Sequence, residues 1–171
     1  LEGLGVRQQD MVFVEMCPEA CAQLKKRFPE ARVLHALDIM SEAGAKLVLS
    51  LAGWADMVLA AIPCQPSSKA SLVHDTDDPR LLVGQRAVEL ACALNASLVV
   101  IEDVPSFETE QPVAYDQVMK TLAKRHASVS TAILDARDCM VPMHRARLLI
   151  FAAKEGVELQ PTMDMIAAQQ K

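Results

Sequence analysis

The residues best equipped for chemistry gather at four points along the chain. Cys64 stands in Pro63-Cys64-Gln65-Pro66, directly after the apolar run Met57-Val58-Leu59. A buried strand that halts at a proline-flanked cysteine presents that thiol at the carboxyl edge of a sheet, the edge where open α/β sheets bind ligands. As thiolate, Cys64 is a nucleophile. Three acids, Glu15, Asp38 and Glu102, follow apolar stretches at or near strand ends. An acid so placed accepts hydrogen bonds from ribose hydroxyls or an adenine amino group. Glu102 set beside a thiol acts as a proton donor if burial raises its pKa. Arg145 and Arg147 stand two apart before Leu148-Leu149-Ile150. Strand alternation puts them on one side, where two guanidiniums hold a carboxylate, a phosphate or a base carbonyl.

Each of these has a plainer reading when taken alone. A single acid after a strand is usually a solvated terminus, and two arginines are usually a basic strand entrance. His74 and His144 invite a Cys-His hydrolase reading of Cys64, but no third orienting residue is evident. Cys17 and Cys21 share a helix face, yet two ligands seldom make a metal site, so packing is the expected role and no metal site is expected. It is the ordered series, with Cys64 at its centre, that favours a catalytic reading.

The elements that must position these groups alternate in type. Strands are expected at Met11 to Glu15, Arg32 to His35, Asp56 to Ile62, Ser97 to Glu102, Ser128 to Leu134 and Arg147 to Ala153. Helices are expected from Pro18 to Phe28, from Ser41 (as N-cap) to Ala52, from Pro79 to about Asn95, and from Pro112 to Arg125. Pro105 closes the strand that carries Glu102. This alternation predicts an α/β fold with a mostly parallel sheet and helices on both faces. The expected organisation is a core over residues 1–153 and a polar, then Met/Ala/Gln-rich tail over 154–171 that is frayed.

Composition bounds the rest. A chain of 171 residues, about half apolar and poor in aromatics, suits one domain of helices packed on a buried sheet. The formal charge of −5 supplies no global attraction for nucleic acid or anionic membranes. No run is long enough to span a bilayer, and no signal peptide is evident. Five cysteines, an odd number without a C-x-x-C pair, argue against a disulfide framework or structural zinc and for a reducing, intracellular setting. No G-x-G-x-x-G or P-loop occurs.

Pro63-Cys64-Gln65, Glu102-Asp103-Val104 and Arg145-Ala146-Arg147, in this order, resemble the catalytic core of the cytosine-C5 DNA methyltransferases. That family carries a Pro-Cys-Gln loop, a Glu-Asn-Val strand end and a Gln-x-Arg-x-Arg segment. Glu15 and Asp38-Ile39 fit further motifs, and Asp78 and Leu81 fit a fifth loosely. The sequence departs from the pattern at Asp103, where the family has Asn, at Met143, where it has Gln, and at Ser67, where it has Phe. The family's glycine-rich first motif and target-recognition region find no match, so the expectation is a truncated catalytic domain beginning at Leu1.

The resemblance implies a Rossmann-like, S-adenosylmethionine-dependent methyltransferase fold, incomplete here, and methyl transfer to C5 of cytosine in DNA. Cys64 would add to C6, Glu102 would hydrogen-bond N3 and the exocyclic amino group, and Arg147 with Arg145 would orient the base. Such enzymes flip the base out of the duplex. Glu15 would bind the cofactor ribose, Asp38 the adenine amino group, and Ile39 and Pro63 would complete the cofactor site. DNA is the expected partner, RNA the alternative; no membrane partner is expected. The expected location is nuclear in a eukaryote and cytoplasmic in a bacterium or virus. Two other classes remain open: a non-catalytic methyltransferase-like binding domain, and a thiol sensor built on Cys64.

Overall fold

The computed structural model describes residues 5–63 and 78–169. The chain divides into two compact units, Leu1–Gly53 and Trp54–Lys171.

In the first unit a 3-10 turn, Gln8–Asp10, leads into β1, Val12–Glu15; α1, Pro18–Arg27, returns the chain to β2, Arg32–His35, and α2, Glu42–Ala52, follows. β1 and β2 run parallel, with Val12 opposite Arg32 and Glu15 opposite His35. Pro18 occupies the first helical turn, where its missing N–H costs nothing. Lys25, Lys26 and Arg27 fill the last turn, complementing the negative end of the helix dipole. Phe13 of β1 packs on Phe28 just past α1, ring centroids 5.0 Å apart. Ser41 caps α2 by accepting the Gly44 N–H at 2.9 Å.

In the second unit β3, Met57–Ala61, precedes α3, Leu81–Ala93, and β4, Leu98–Asp103. A short α4, Phe107–Glu110, leads into α5, Pro112–Ala123. Then come β5, Ser128–Asp135, a 3-10 turn, Ala136–Cys139, β6, Ala146–Ala153, and α6, Gln160–Gln169. The sheet order is β3-β4-β6-β5. β3 and β4 are parallel, which α3 permits by carrying the chain back across the sheet. β6 is antiparallel to both β4 and β5. The α/β class agrees with the sequence reading, and β6 is the strand that runs against its neighbours. Between β5 and β6 lie only a 3-10 turn and a short loop, less than the roughly dozen-residue crossover a parallel pair needs.

Period-two alternation divides the sheet's side chains between two cores. Val99, Ile101, Leu148, Ile150 and Ala152 pack with Val88 and Ala91 of α3 and Val118 and Leu122 of α5. The opposite face, with Phe151 and Ala153, packs on Leu159, Met163 and Ile166. The tail after Lys154 is therefore not frayed throughout: α6 forms because its apolar residues cover a sheet face that would otherwise meet water. Burying each such side chain contributes about 1.5–3 kcal/mol.

His126, buried after α5, sets its ring between two carbonyls, Nδ1 at 3.1 Å from Leu122 O and Nε2 at 3.2 Å from Ala96 O.

Candidate active site

β4 and its neighbours bring two of the expected catalytic residues together. Glu102 faces Leu149 in the β4–β6 register, so Arg147, two residues along β6, lies diagonally across on the same face. Its Nε meets Glu102 Oε1 at 2.5 Å, and both side chains are half-buried. A second guanidinium nitrogen of Arg147 donates to Ala146 O at 2.8 Å, which fixes the plane of the group. On the other side of β4, Glu102 is the register partner of Ala61, and its carbonyl accepts the Ile62 N–H at 3.2 Å. The strand that leads to Pro63, the residue before Cys64, is thus tied to the strand end that carries Glu102. Pro63 is half-buried; Cys64 and His74 lie outside the described residues. Gly84 of α3 seats Ile62: a Cβ there would stand 3.0 Å from Ile62 Cδ1.

The carboxyl that burial acts on here is Asp103, only 2% exposed. Its Oδ1 accepts the Val104 N–H at 2.7 Å, while Oδ2 is buried without a hydrogen-bond partner. Burial pushes its pKa up to about 7, opposed by the Val104 N–H, with the Glu102 charge adding to the rise and Arg147 working against it. The sequence reading marked Asp103 only as a departure from Asn; nothing local signals its depth.

Arg145 is held differently from Arg147. It is exposed and precedes β6, its N–H donating to Asp135 Oδ1 at 3.3 Å and its carbonyl accepting the Ala136 N–H at 3.2 Å. Asp135 also accepts from the Arg137 N–H at 3.0 Å and from the Arg137 guanidinium at 3.1 Å, and contacts His144 Nδ1. These bonds, the Arg137 backbone N–H foremost, hold its carboxyl well below the usual range. Asp135 and Asp138 form a reciprocal capping box over the turn. The sequence reading missed Asp135; its signal is the acid three residues before Asp138 at a strand end.

In the first unit Glu15 ends β1, and Asp38 follows the end of the adjacent parallel strand β2. Glu15 Oε1 accepts the Cys17 N–H at 2.7 Å, and its carbonyl accepts the Leu37 N–H at 3.0 Å. Cys21, fully buried, places its sulfur 3.3 Å from Glu15 O and 3.5 Å from Ala36 N, joining the two strand ends from below. Asp38 Oδ1 accepts the Met40 N–H at 2.8 Å, and its carbonyl accepts the Ser41 hydroxyl at 2.8 Å. Asp38 is exposed and Ile39 half-buried. The fit to an adenosine group is a matter of donor chemistry: each carboxylate is oriented through one oxygen by a backbone N–H. Its second oxygen can accept from a hydroxyl or an amino group, and Ile39 supplies apolar surface.

The family model for C-5 cytosine-specific DNA methylase matches residues 3–171. Type II methyltransferase M1.HphI of Haemophilus parahaemolyticus is 25% identical over 153 residues, covering 87% of this chain and 41% of that protein. A Spodoptera frugiperda DNMT2 structure superposes with a TM-score of 0.64 at 20% identity, over 86% of this chain and 43% of that one. The Entamoeba histolytica methyltransferase EhMeth gives 0.64 at 21% identity, over 83% and 44%. The chain thus spans less than half the length of these relatives, and its fold is that of the S-adenosylmethionine-dependent methyltransferases. By its family match the chain belongs to the C-5 cytosine-specific DNA methylases.

Proposed function

We propose that the chain carries the catalytic residues for methyl transfer to C5 of cytosine in DNA. The observation that supports this best is the Glu102–Arg147 pair at the end of β4, register-paired through Ala61 with the strand that runs into Pro63 and Cys64.

In this reading the Cys64 thiolate forms a bond to cytosine C6, and the C5–C6 π electrons move toward C5. Glu102 hydrogen-bonds N3 and the exocyclic amino group, countering the charge that develops on the ring. Arg147, planar and fixed by Glu102 and the Ala146 carbonyl, donates to the base O2. Glu15, Asp38 and Ile39 would hold S-adenosylmethionine, which would give its methyl group to C5 and leave as S-adenosylhomocysteine. Loss of the C5 proton to a base then restores the C5–C6 double bond and expels the Cys64 thiolate.

The charge of −5 supports a division of labour in which phosphate contacts come from elsewhere in the assembly. The test is a covalent trap. The chain is incubated with S-adenosylmethionine and DNA containing 5-fluorocytosine, in which the C5 substituent cannot leave as a proton. A denaturation-resistant adduct is expected with wild type and not with Cys64→Ser. Equal trapping by both, or none by wild type, removes Cys64 from the role. The same trap on RNA decides between the two nucleic acids.

A further inference from the structure

One carboxylate ties together both ends of the link between β5 and β6, residues 136–145. Asp135 ends β5, and its side chain is only 13% exposed. Its Oδ1 accepts the Arg137 N–H at 3.0 Å where the link begins and the Arg145 N–H at 3.3 Å where it ends. Its Oδ2 accepts from the Arg137 guanidinium at 3.1 Å and contacts His144 Nδ1. The second acid of the link, Asp138, turns its Oδ2 onto the Asp135 N–H at 3.1 Å. Both acids are thus engaged within the turn, while Arg137, His144 and Arg145 are exposed.

This cluster stands at the functional end of the sheet. β6 runs against both β4 and β5, so the end of β5 and the start of β6 lie at the end of β4 that carries Glu102. Arg145 precedes Arg147, the partner of Glu102, by two residues. The surface between the basic residues is apolar: Met140, Val141 and Met143 are exposed, Met140 at 95%. Met140 also holds φ 62°, a left-handed value unfavourable for a residue with a side chain. A free anion would need only the cations. A nucleic-acid strand uses both, its phosphates meeting guanidiniums and its sugars and base steps meeting apolar side chains. A protein partner could also use arginine and methionine; the Glu102–Arg147 pair alongside favours nucleic acid.

We propose that the link over residues 136–145 is a nucleic-acid contact surface, in which Arg137 and Arg145 bind backbone phosphates beside the target base and Asp135 is a positioning residue for both. Asp135 holds Arg137 through its guanidinium and Arg145 through its backbone. A guanidinium already oriented by a carboxylate loses less freedom when a phosphate arrives. The charge of −5 leaves most phosphate contacts to the rest of the assembly; this link is a local exception. The choice of nucleic acid as partner rests on the methyl-transfer reading.

The experiment measures binding of the chain to a fluorescein-labelled DNA duplex by anisotropy, from about 25 mM to about 200 mM salt. Phosphate contacts carry no sequence information, so any duplex serves. For wild type, log K falls linearly as log salt rises. Arg137→Gln and Arg145→Gln each bind more weakly and flatten that slope by about 0.9, the share of one phosphate. Lys124→Gln removes the same charge just past α5, at the other end of β5, and leaves the slope unchanged. Asp135→Asn makes the chain less negative, which by charge alone would tighten binding; loss of positioning weakens it instead. Tighter binding by Asp135→Asn removes Asp135 from the role. Absent or salt-independent binding by wild type, unchanged slopes in both arginine variants, or an equal change in Lys124→Gln overturns the contact surface. A polyglutamate peptide held by wild type and lost in both arginine variants, with the DNA slopes unchanged, assigns the link to an acidic protein and also overturns it. If the slopes shift as expected but wild type forms no adduct with 5-fluorocytosine DNA, the methyl-transfer reading falls and the contact surface stands. An adduct with unchanged slopes has the opposite meaning.

Discussion

Glu102 and Arg147 meet diagonally across an antiparallel strand pair, carboxylate oxygen to Nε at 2.5 Å, from positions 45 residues apart in the numbering. The contact exists because β6 runs against β4. Leu149 is opposite Glu102, so the residue two before it on β6 falls on the same face and within reach. Planarity then matters more than charge: a lysine at 147 keeps the positive charge but loses the fork that touches Glu102 and the Ala146 carbonyl together.

The first prediction concerns that pair. Glu102→Gln keeps a hydrogen-bonding side chain but loses the charge that pairs with Arg147. Methyl transfer is expected to fall about 10²–10⁴-fold, while the trapped adduct on 5-fluorocytosine DNA forms slowly. Arg147→Lys is expected to raise KM more than it lowers kcat. Single-turnover kinetics measures both, and unchanged rates in Glu102→Gln would remove that residue from the site.

Gly44 gives a prediction for the first unit. A Cβ there would stand 2.0 Å from the Asp38 carbonyl oxygen and 2.8 Å from Ser41 Oγ, the cap of α2. Gly44→Ala must push the Asp38 turn away and loosen the cap, at about 1–3 kcal/mol. Urea unfolding should show the loss, and equilibrium dialysis with S-adenosylmethionine should show weaker binding. Full stability in Gly44→Ala would mean that the turn yields freely.

Asp135 predicts an acid-side effect. Its carboxyl is held below its ordinary pKa, mainly by the Arg137 N–H and guanidinium. A depressed acid stabilises the folded state above its unfolded pKa, and that contribution disappears as pH falls through the folded value. Wild type should therefore exceed Asp135→Asn in thermal stability at neutral pH, with the gap narrowing below about pH 4. A gap independent of pH would assign the difference to packing.

His126 predicts a structural cost without a catalytic one. Its ring lies between the Leu122 and Ala96 carbonyls, pinning the end of α5 to the turn before β4. His126→Ala leaves both acceptors without the ring and should cost about 2–4 kcal/mol in urea unfolding. His126→Asn, reaching only one carbonyl, should recover part of it.

Local chemistry was legible in the chain alone. The Pro18 helix start, the Ser41 cap and the order of strands and helices follow from backbone propensities acting over a few residues, and they emerged at nearly the expected boundaries. So did the placement of Glu15, Asp38 and Glu102 beside strand ends, because an acid after an apolar run has little choice but the end of the strand. Only the tertiary structure decided what depends on residues far apart in sequence. The reversal of β6 comes from the short link after β5, and it is the reversal that brings Arg147 to Glu102. α6 persists because Phe151 and Ala153 need cover on the face away from α3 and α5. Asp103 and Glu102 are neighbours of like charge type in the sequence. One meets a guanidinium and the other is buried with an oxygen unpaired, because consecutive strand residues face opposite ways and the packing on each face differs.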